Sequence, residues 1–153
     1  MWDTCDQAFG ALGVTNRGPI HIASRAQPNQ PAAARIVAEA DGIFMTGGDQ
    51  KRLLAMIGGS ELDDAMHEAR DMRGACIGGT SAGASAMSAH MLARGTVELR
   101  PEKGAVRLGA GLNFLRRVVI DQHCSERPRL ARLLSVVAKT PTCMESGSTT
   151  TPP

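Results

Sequence analysis

Ser81 is the residue whose neighbours most clearly equip it for chemistry. It is the centre of Gly79-Thr80-Ser81-Ala82-Gly83, which fits G-x-S-x-G, the strand-to-helix elbow that presents a nucleophilic serine in a tight turn. The glycines have a mechanical reason, since such a turn crowds backbone segments and pushes its central residue toward sparsely populated φ/ψ values. A serine hydroxyl is a weak nucleophile at neutral pH and needs a base to take its proton. His123 is the best-placed candidate: with Asp121 and Gln122 it ends the β-branched run Val118-Val119-Ile120, much as Ser81 follows Ala75-Cys76-Ile77. His21 lies in a strand-like run, and His67 and His90 fall in helical stretches. An oxyanion formed at Ser81 needs two N–H donors. Ala82 can supply one, and Gly47 or Gly48 of Thr46-Gly47-Gly48-Asp49-Gln50 the other. Taken singly, each feature has a plain structural counterpart: a turn, a capping histidine, an anion-binding nest. Nucleotide-binding loops of the G-x-G-x-x-G or G-x-x-x-x-G-K-[ST] type are absent from the sequence.

Arg127, Arg129 and Arg132 stand just after His123. With Asp121 and Gln122 they suit a carboxylate-rich or zwitterionic ligand, because guanidinium pairs bidentately with carboxylate. A solvated basic helix face is the competing reading.

The elements that must carry these groups alternate. A weakly helical start to Val14 is followed by a break at Gly18-Pro19 and a short strand at Ile20-His21-Ile22. The pattern then predicts a helix over Ala32 to Ala40, a strand Ile43-Phe44-Met45, and a helix with Leu53, Leu54, Met56 and Ile57 on one face. A second helix runs from Glu61 to about Met72, with Ser60 as N-cap and Asp63 at its third position. After the strand before Ser81, a helix from Ala82 to near Gly95 is expected, with its positive end toward the oxyanion. Strand-like pieces at Thr96 to Leu99 and Ala105 to Leu108 precede a loop from Gly109, the strand Val118 to Ile120, and a basic amphipathic helix Arg127 to Val137. Residues 1–139 read as one domain, and the Thr/Ser/Pro-rich residues 140–153 as a disordered tail. Strands alternating with helices predict an α/β fold with a largely parallel sheet, whose ligands gather at the C-terminal strand ends.

Composition narrows the function classes. With 153 residues the chain can bury one core, and 3% aromatic content argues against a base-stacking platform. A net charge of +2 is too small to imply a polyanion, although five arginines fall between Arg116 and Arg132. No nucleic-acid partner is expected. The four cysteines are widely spaced, without metal-ligand spacing, and read as free thiols, so no metal is expected. No basic-then-apolar leader opens the sequence, and no run approaches the roughly 18 apolar residues of a membrane span. A cytoplasmic protein without a membrane partner is the expectation.

Taken together, Ile43-Phe44-Met45-Thr46-Gly47-Gly48-Asp49-Gln50, Gly79-Thr80-Ser81-Ala82-Gly83-Ala84 and Ile120-Asp121-Gln122-His123 followed by Arg127, Arg129 and Arg132 resemble the cyanophycinases, serine exopeptidases of peptidase family S51. The resemblance runs from about Phe9 to Lys139. It implies Ser81 as nucleophile, His123 as base, Gly48 and Ala82 as oxyanion donors, and Gln50, Asp121, Gln122, Arg127, Arg129 and Arg132 as substrate-pocket residues. It also implies a class I glutamine amidotransferase-like three-layer α/β sandwich, commonly dimeric, needing no cofactor. The substrate it implies is cyanophycin, poly-aspartate with arginine on each side chain, cut to β-Asp-Arg dipeptides. An aspartyl dipeptidase of the same family and a non-catalytic remnant are the alternatives.

Three departures accompany the resemblance. Family members usually begin with a further strand, a glycine-rich segment and a second strand, whereas this sequence opens at what corresponds to an early helix, so an incomplete sheet is expected. Cys124 replaces the phenylalanine usual after the histidine. The family's acidic triad member follows the basic helix, where Glu145 is the nearest acid in surroundings that do not match the pattern.

Overall fold

In the computed structural model of the chain, residues 2–95, 106–122, 130–139 and 144–148 are described. The chain starts with α1 (Trp2–Ala11), α2 (Pro31–Ala38), β1 (Gly42–Met45), α3 (Gln50–Ile57) and α4 (Glu61–Arg73). It continues through β2 (Cys76–Gly79), α5 (Ala82–Ala86), β3 (His90–Gly95), β4 (Val106–Ala110), β5 (Val118–Gln122), α6 (Leu130–Lys139) and β6 (Met144–Ser148). Strands and helices alternate through most of this order, so the class is α/β.

Local chemistry sets the ends of several elements. Pro31 opens α2, where its missing N–H costs nothing. Asp49 caps α3 by accepting from the Lys51 and Arg52 amides at 2.8 and 3.2 Å. Ser60 caps α4 as expected, accepting from Asp63 N–H at 3.3 Å, while the Asp63 carboxylate reaches back to Gly59 N–H at 2.8 Å. Gly74 ends the same helix at φ 72°, a left-handed turn that hands its amide to Ala69 and Arg70 carbonyls.

Among the described residues the strands pair two by two: β1 with β2 in parallel, β3 with β4 antiparallel, and β5 with β6 in parallel. In the first pair Gly42 faces Cys76 and Met45 faces Gly79. One core joins Val37, Met45, Leu62, Ala65, Met66, Ala86 and Leu112, and a second joins Leu92, Val106, Val119 and Val136. Burial of these aliphatic side chains is the main favourable contribution to the fold. The short helix α5 packs against β1, β2, β5 and α3, so it stands where the strands converge.

Three expectations need correction. Ile20 to Ile22 is not a strand, since among the described residues no strand pairs with it; Ile22 instead packs against the first core. The helix from Ala82 stops at Ala86 rather than near Gly95. There the carbonyls of Ala86 and Met87 accept from Leu112 and Leu115 amides at 2.8 and 2.9 Å, and the chain turns into β3, which carries His90. Tertiary pairing overrides the helical propensity of that alanine- and methionine-rich run. Lastly, Met144–Ser148, within the segment expected to lack structure, lies alongside β5 with Glu145 opposite Val119. The strand predicted at Thr96 to Leu99 lies outside the described residues.

Among the described residues no helix is long and apolar enough to cross a membrane, and no cluster of His, Cys, Asp or Glu is grouped to hold a metal ion. Cys5 and Cys76 are free thiols.

Candidate active site

Ser81 sits at φ 52°, ψ −116°, one of three non-glycine residues with positive φ among those described. Such a conformation costs on the order of 1–3 kcal/mol and persists only where the surroundings over-determine it. Here they do. Thr80 N–H donates to Met45 O, Gly83 N–H to Thr80 O and Ser85 N–H to Ser81 O, each at 3.0 Å. These bonds tie the turn to β1 on one side and to α5 on the other.

The motif glycines are required by close approach. A Cβ on Gly79 would stand 2.6 Å from the Gly83 carbonyl carbon and 2.8 Å from Ala84 N. A Cβ on Gly83 would collide with Met45 O and stand 2.7 Å from the Met45 carbonyl carbon. The first glycine therefore lets α5 fold back over the end of β2, and the second seats α5 on β1. Ala82, fully buried, follows Ser81 as the first residue of α5.

The loop after β1 flanks the serine. A Cβ on Gly47 would lie 3.3 Å from Ser81 Cβ and 3.7 Å from its Oγ, so the Gly47 backbone lies against that side chain. Gly48 follows at φ 146°, a conformation that favours glycine. Asp49, next in the chain, is occupied in capping α3. Among the described residues, the Ala82 and Gly48 amides take no part in a backbone hydrogen bond.

On the other side of Ser81 lies β5. The Ser81 hydroxyl donates to Gln122 Oε1 at 2.8 Å, and one turn further on the Ser85 hydroxyl donates to Ile120 O at 3.0 Å. Gln122 is the residue before His123. The fold thus brings together Ser81, Ala82 and Gln122 from the predicted set, with Gly48 next in the chain to the Gly47 backbone that lies against Ser81.

Other predicted residues are placed elsewhere. Asp121 is 2% exposed and falls on the opposite face of β5 from Gln122, with its carboxylate accepting from Gln122 N–H at 2.8 Å. Gln50 heads α3, and its Nε2 donates to Leu92 O at 3.1 Å, bracing α3 against β3. Arg132 belongs to α6, and Glu145 to the backbone of β6 beside β5. His123, Arg127 and Arg129 lie outside the described residues. Ser85 was missed by reasoning from sequence. Its only signal there is a hydroxyl four residues after Ser81 in a run of alanines.

Comparison with known proteins adds an independent line. The sequence profile of peptidase family S51 matches residues 2–147. A cyanophycinase of Geminocystis herdmanii (strain PCC 6308) is 33% identical over 133 residues, covering 87% of this chain and 49% of that protein. A cyanophycinase of Synechococcus elongatus is 35% identical over 134 residues, covering 87% of this chain and 41% of that one. The chain therefore spans about half the length, or less, of the curated relatives it matches. Among solved structures, a peptidase from an acI-B1 actinobacterium superposes with a TM-score of 0.65 at 20% identity, covering 84% of this chain and 50% of that one, and so shares the fold.

Proposed function

The chain belongs to peptidase family S51, and on that premise we propose that it is a serine exopeptidase acting on cyanophycin. Ser81 Oγ attacks the scissile carbonyl while His123 takes its proton. The resulting oxyanion is held by the Ala82 and Gly48 N–H groups, the C–N bond breaks with proton return from His123 to the leaving amine, and water then releases the acyl group from Ser81. Glu145 is the proposed orienting acid. No cofactor enters the scheme.

The observation that carries this reading is the strained Ser81, enclosed by Gly79 and Gly83, with its hydroxyl 2.8 Å from the residue that precedes His123. Backbone strain of that kind at a serine between close-packed elements is what an elbow nucleophile requires. Gln122 is the proposed partner of substrate guanidinium, and Arg127, Arg129 and Arg132 those of its carboxylates. The curated relatives named above are cyanophycinases, which supports β-Asp-Arg polymer as the substrate class. The parallel pairs β1–β2 and β5–β6 support a mostly parallel, glutamine amidotransferase-like sheet. A homodimer in the cytoplasm belongs to the same reading.

Incubating the purified chain with cyanophycin and assaying for β-Asp-Arg tests it. Release is expected from the wild type and not from Ser81→Ala; equal release by both would remove Ser81 from the mechanism.

A further inference from the structure

We infer that Ser85 is a positioning residue that sets the nucleophile against β5, an inference that rests on the reading of Ser81 as nucleophile. Ser85 is 1% exposed in a helix otherwise made of Ala82, Gly83, Ala84 and Ala86. A serine inside a helix commonly turns its hydroxyl back to the carbonyl four residues earlier. Ser135 of α6 does so, donating to Ala131 O at 2.8 Å. Ser85 does not. Its own backbone amide takes the Ser81 carbonyl, and its hydroxyl leaves the helix to reach Ile120 O on β5 at 3.0 Å.

This bond and the Ser81–Gln122 bond are two rungs between the same two elements. Ser81 and Ser85 are separated by about one helical turn, about 6 Å of rise, and Ile120 and Gln122 by two strand residues, about 6.6 Å. The near match lets both rungs form at once, and two rungs fix the tilt of α5 on β5 where one allows it to pivot. Elsewhere α5 offers only small apolar side chains, which fill space without fixing direction. With Ser85 anchored, the Ser81 hydroxyl is held at the strand end from which His123 continues. Ser85 touches neither substrate nor reacting atoms in this account; it acts through the orientation of Ser81.

The test compares wild type, Ser85→Ala and Ser85→Cys for the rate at which a fluorophosphonate labels Ser81, with Ser81→Ala as the blank. Ser85→Ala is expected to label roughly tenfold more slowly at saturating probe with the half-saturating concentration unchanged, the size of effect one lost buried hydrogen bond produces. Ser85→Cys, of similar shape and a weaker donor, is expected to fall between the two. Labelling of Ser85→Ala within twofold of wild type overturns the inference. Crystal structures of the same variants give a readout independent of reactivity: the Ser81–Gln122 contact is expected to lengthen past hydrogen-bond range in Ser85→Ala, and its retention at 2.8 Å overturns the inference. A wild-type chain that takes no label refutes Ser81 as nucleophile, and the crystallographic comparison then decides the brace alone. Should Ser85→Ala fail to fold, Ser85→Cys carries both measurements.

Discussion

Gly83→Ala should damage both the stability and the reactivity of the protein, and the damage can be sized from the packing of α5 on β1. The new Cβ would meet Met45 O head-on and lie 2.7 Å from the Met45 carbonyl carbon and 2.8 Å from its Cβ. Unstrained carbon contacts sit at about 3.5–4.0 Å, so the shortfall is about 1 Å. No flexible side-chain tip can yield, because the nearest obstacle is the backbone of β1, and Met45 O is already tied to Thr80 N–H at 3.0 Å. Either α5 lifts by about that distance or β1 buckles. Overpacking of this kind costs about 1–3 kcal/mol. Lifting α5 also stretches the 2.8 Å Ser81–Gln122 bond, adding about 1 kcal/mol, while alanine's better helix propensity returns up to about 1 kcal/mol. A net loss of about 1–4 kcal/mol is therefore expected in urea denaturation followed by far-UV circular dichroism, together with slower fluorophosphonate labelling. Gly42→Ala is the control, since the nearest atom to a Cβ there is Cys76 O at 3.9 Å. If Gly83→Ala unfolds at the same urea concentration as Gly42→Ala, the account of the motif glycine is refuted.

Three further outcomes are expected. Ser81→Gly should be more stable than Ser81→Ala by about 1 kcal/mol in the same denaturation assay, because glycine occupies φ 52° freely and alanine does not; equal stability would mean the elbow is unstrained. Gly74→Ala should cost about 1 kcal/mol, since φ 72° at the end of α4 disfavours a Cβ even though open space surrounds it, and thermal unfolding would detect it. The hydrogen bond from the Arg70 guanidinium holds Asp71 below its ordinary carboxylate value of 3.8. A folded-state pKa depressed below the unfolded one makes this pair's contribution present above pH 3.8 and lost as pH falls through the depressed value. An NMR titration of Asp71 should therefore shift upward in Arg70→Gln, and an unshifted titration would remove Arg70 as the cause.

The parts of the fold legible in sequence were those specified by local chemistry. Ser60 with Asp63 announced the start of α4 because together they satisfy orphan backbone amides on their own, whereas the helix start at Pro31 and the left-handed stop at Gly74 were not read from the sequence. Ser81, Gly79 and Gly83 were legible because a strained turn leaves few residue types able to occupy it. The stretch after Ala86 was not. Its alanines and methionines favour a helix, and what ends α5 is a set of bonds to Leu112 and Leu115, some 25 residues away. Separation in sequence also hid the proposed role of Ser85, whose partner Ile120 lies 35 residues on. Asp121 and Gln122 looked equivalent as neighbours, yet the two-residue period of β5 sends them to opposite faces, and only Gln122 meets Ser81.

The shortness of α5 changes how the site must work. A long helix running from Ala82 would have presented a macrodipole to the oxyanion, but five residues align too few peptide units to sum to a useful field. In the proposed mechanism the burden then falls on individual N–H groups held at short range, which act only if their geometry is fixed in advance. The structure supplies that fixity through close backbone contacts: Gly83 on Met45, Gly79 on Ala84, Gly47 on Ser81, and the two hydroxyl rungs to β5. Each contact involves an element different from the one carrying Ser81, so Ser81 is positioned by four segments meeting rather than by one helix. Substitutions that add a single methyl at these meeting points should therefore impair reactivity far more than larger changes on the solvent face of α4, where Met72 is 80% exposed.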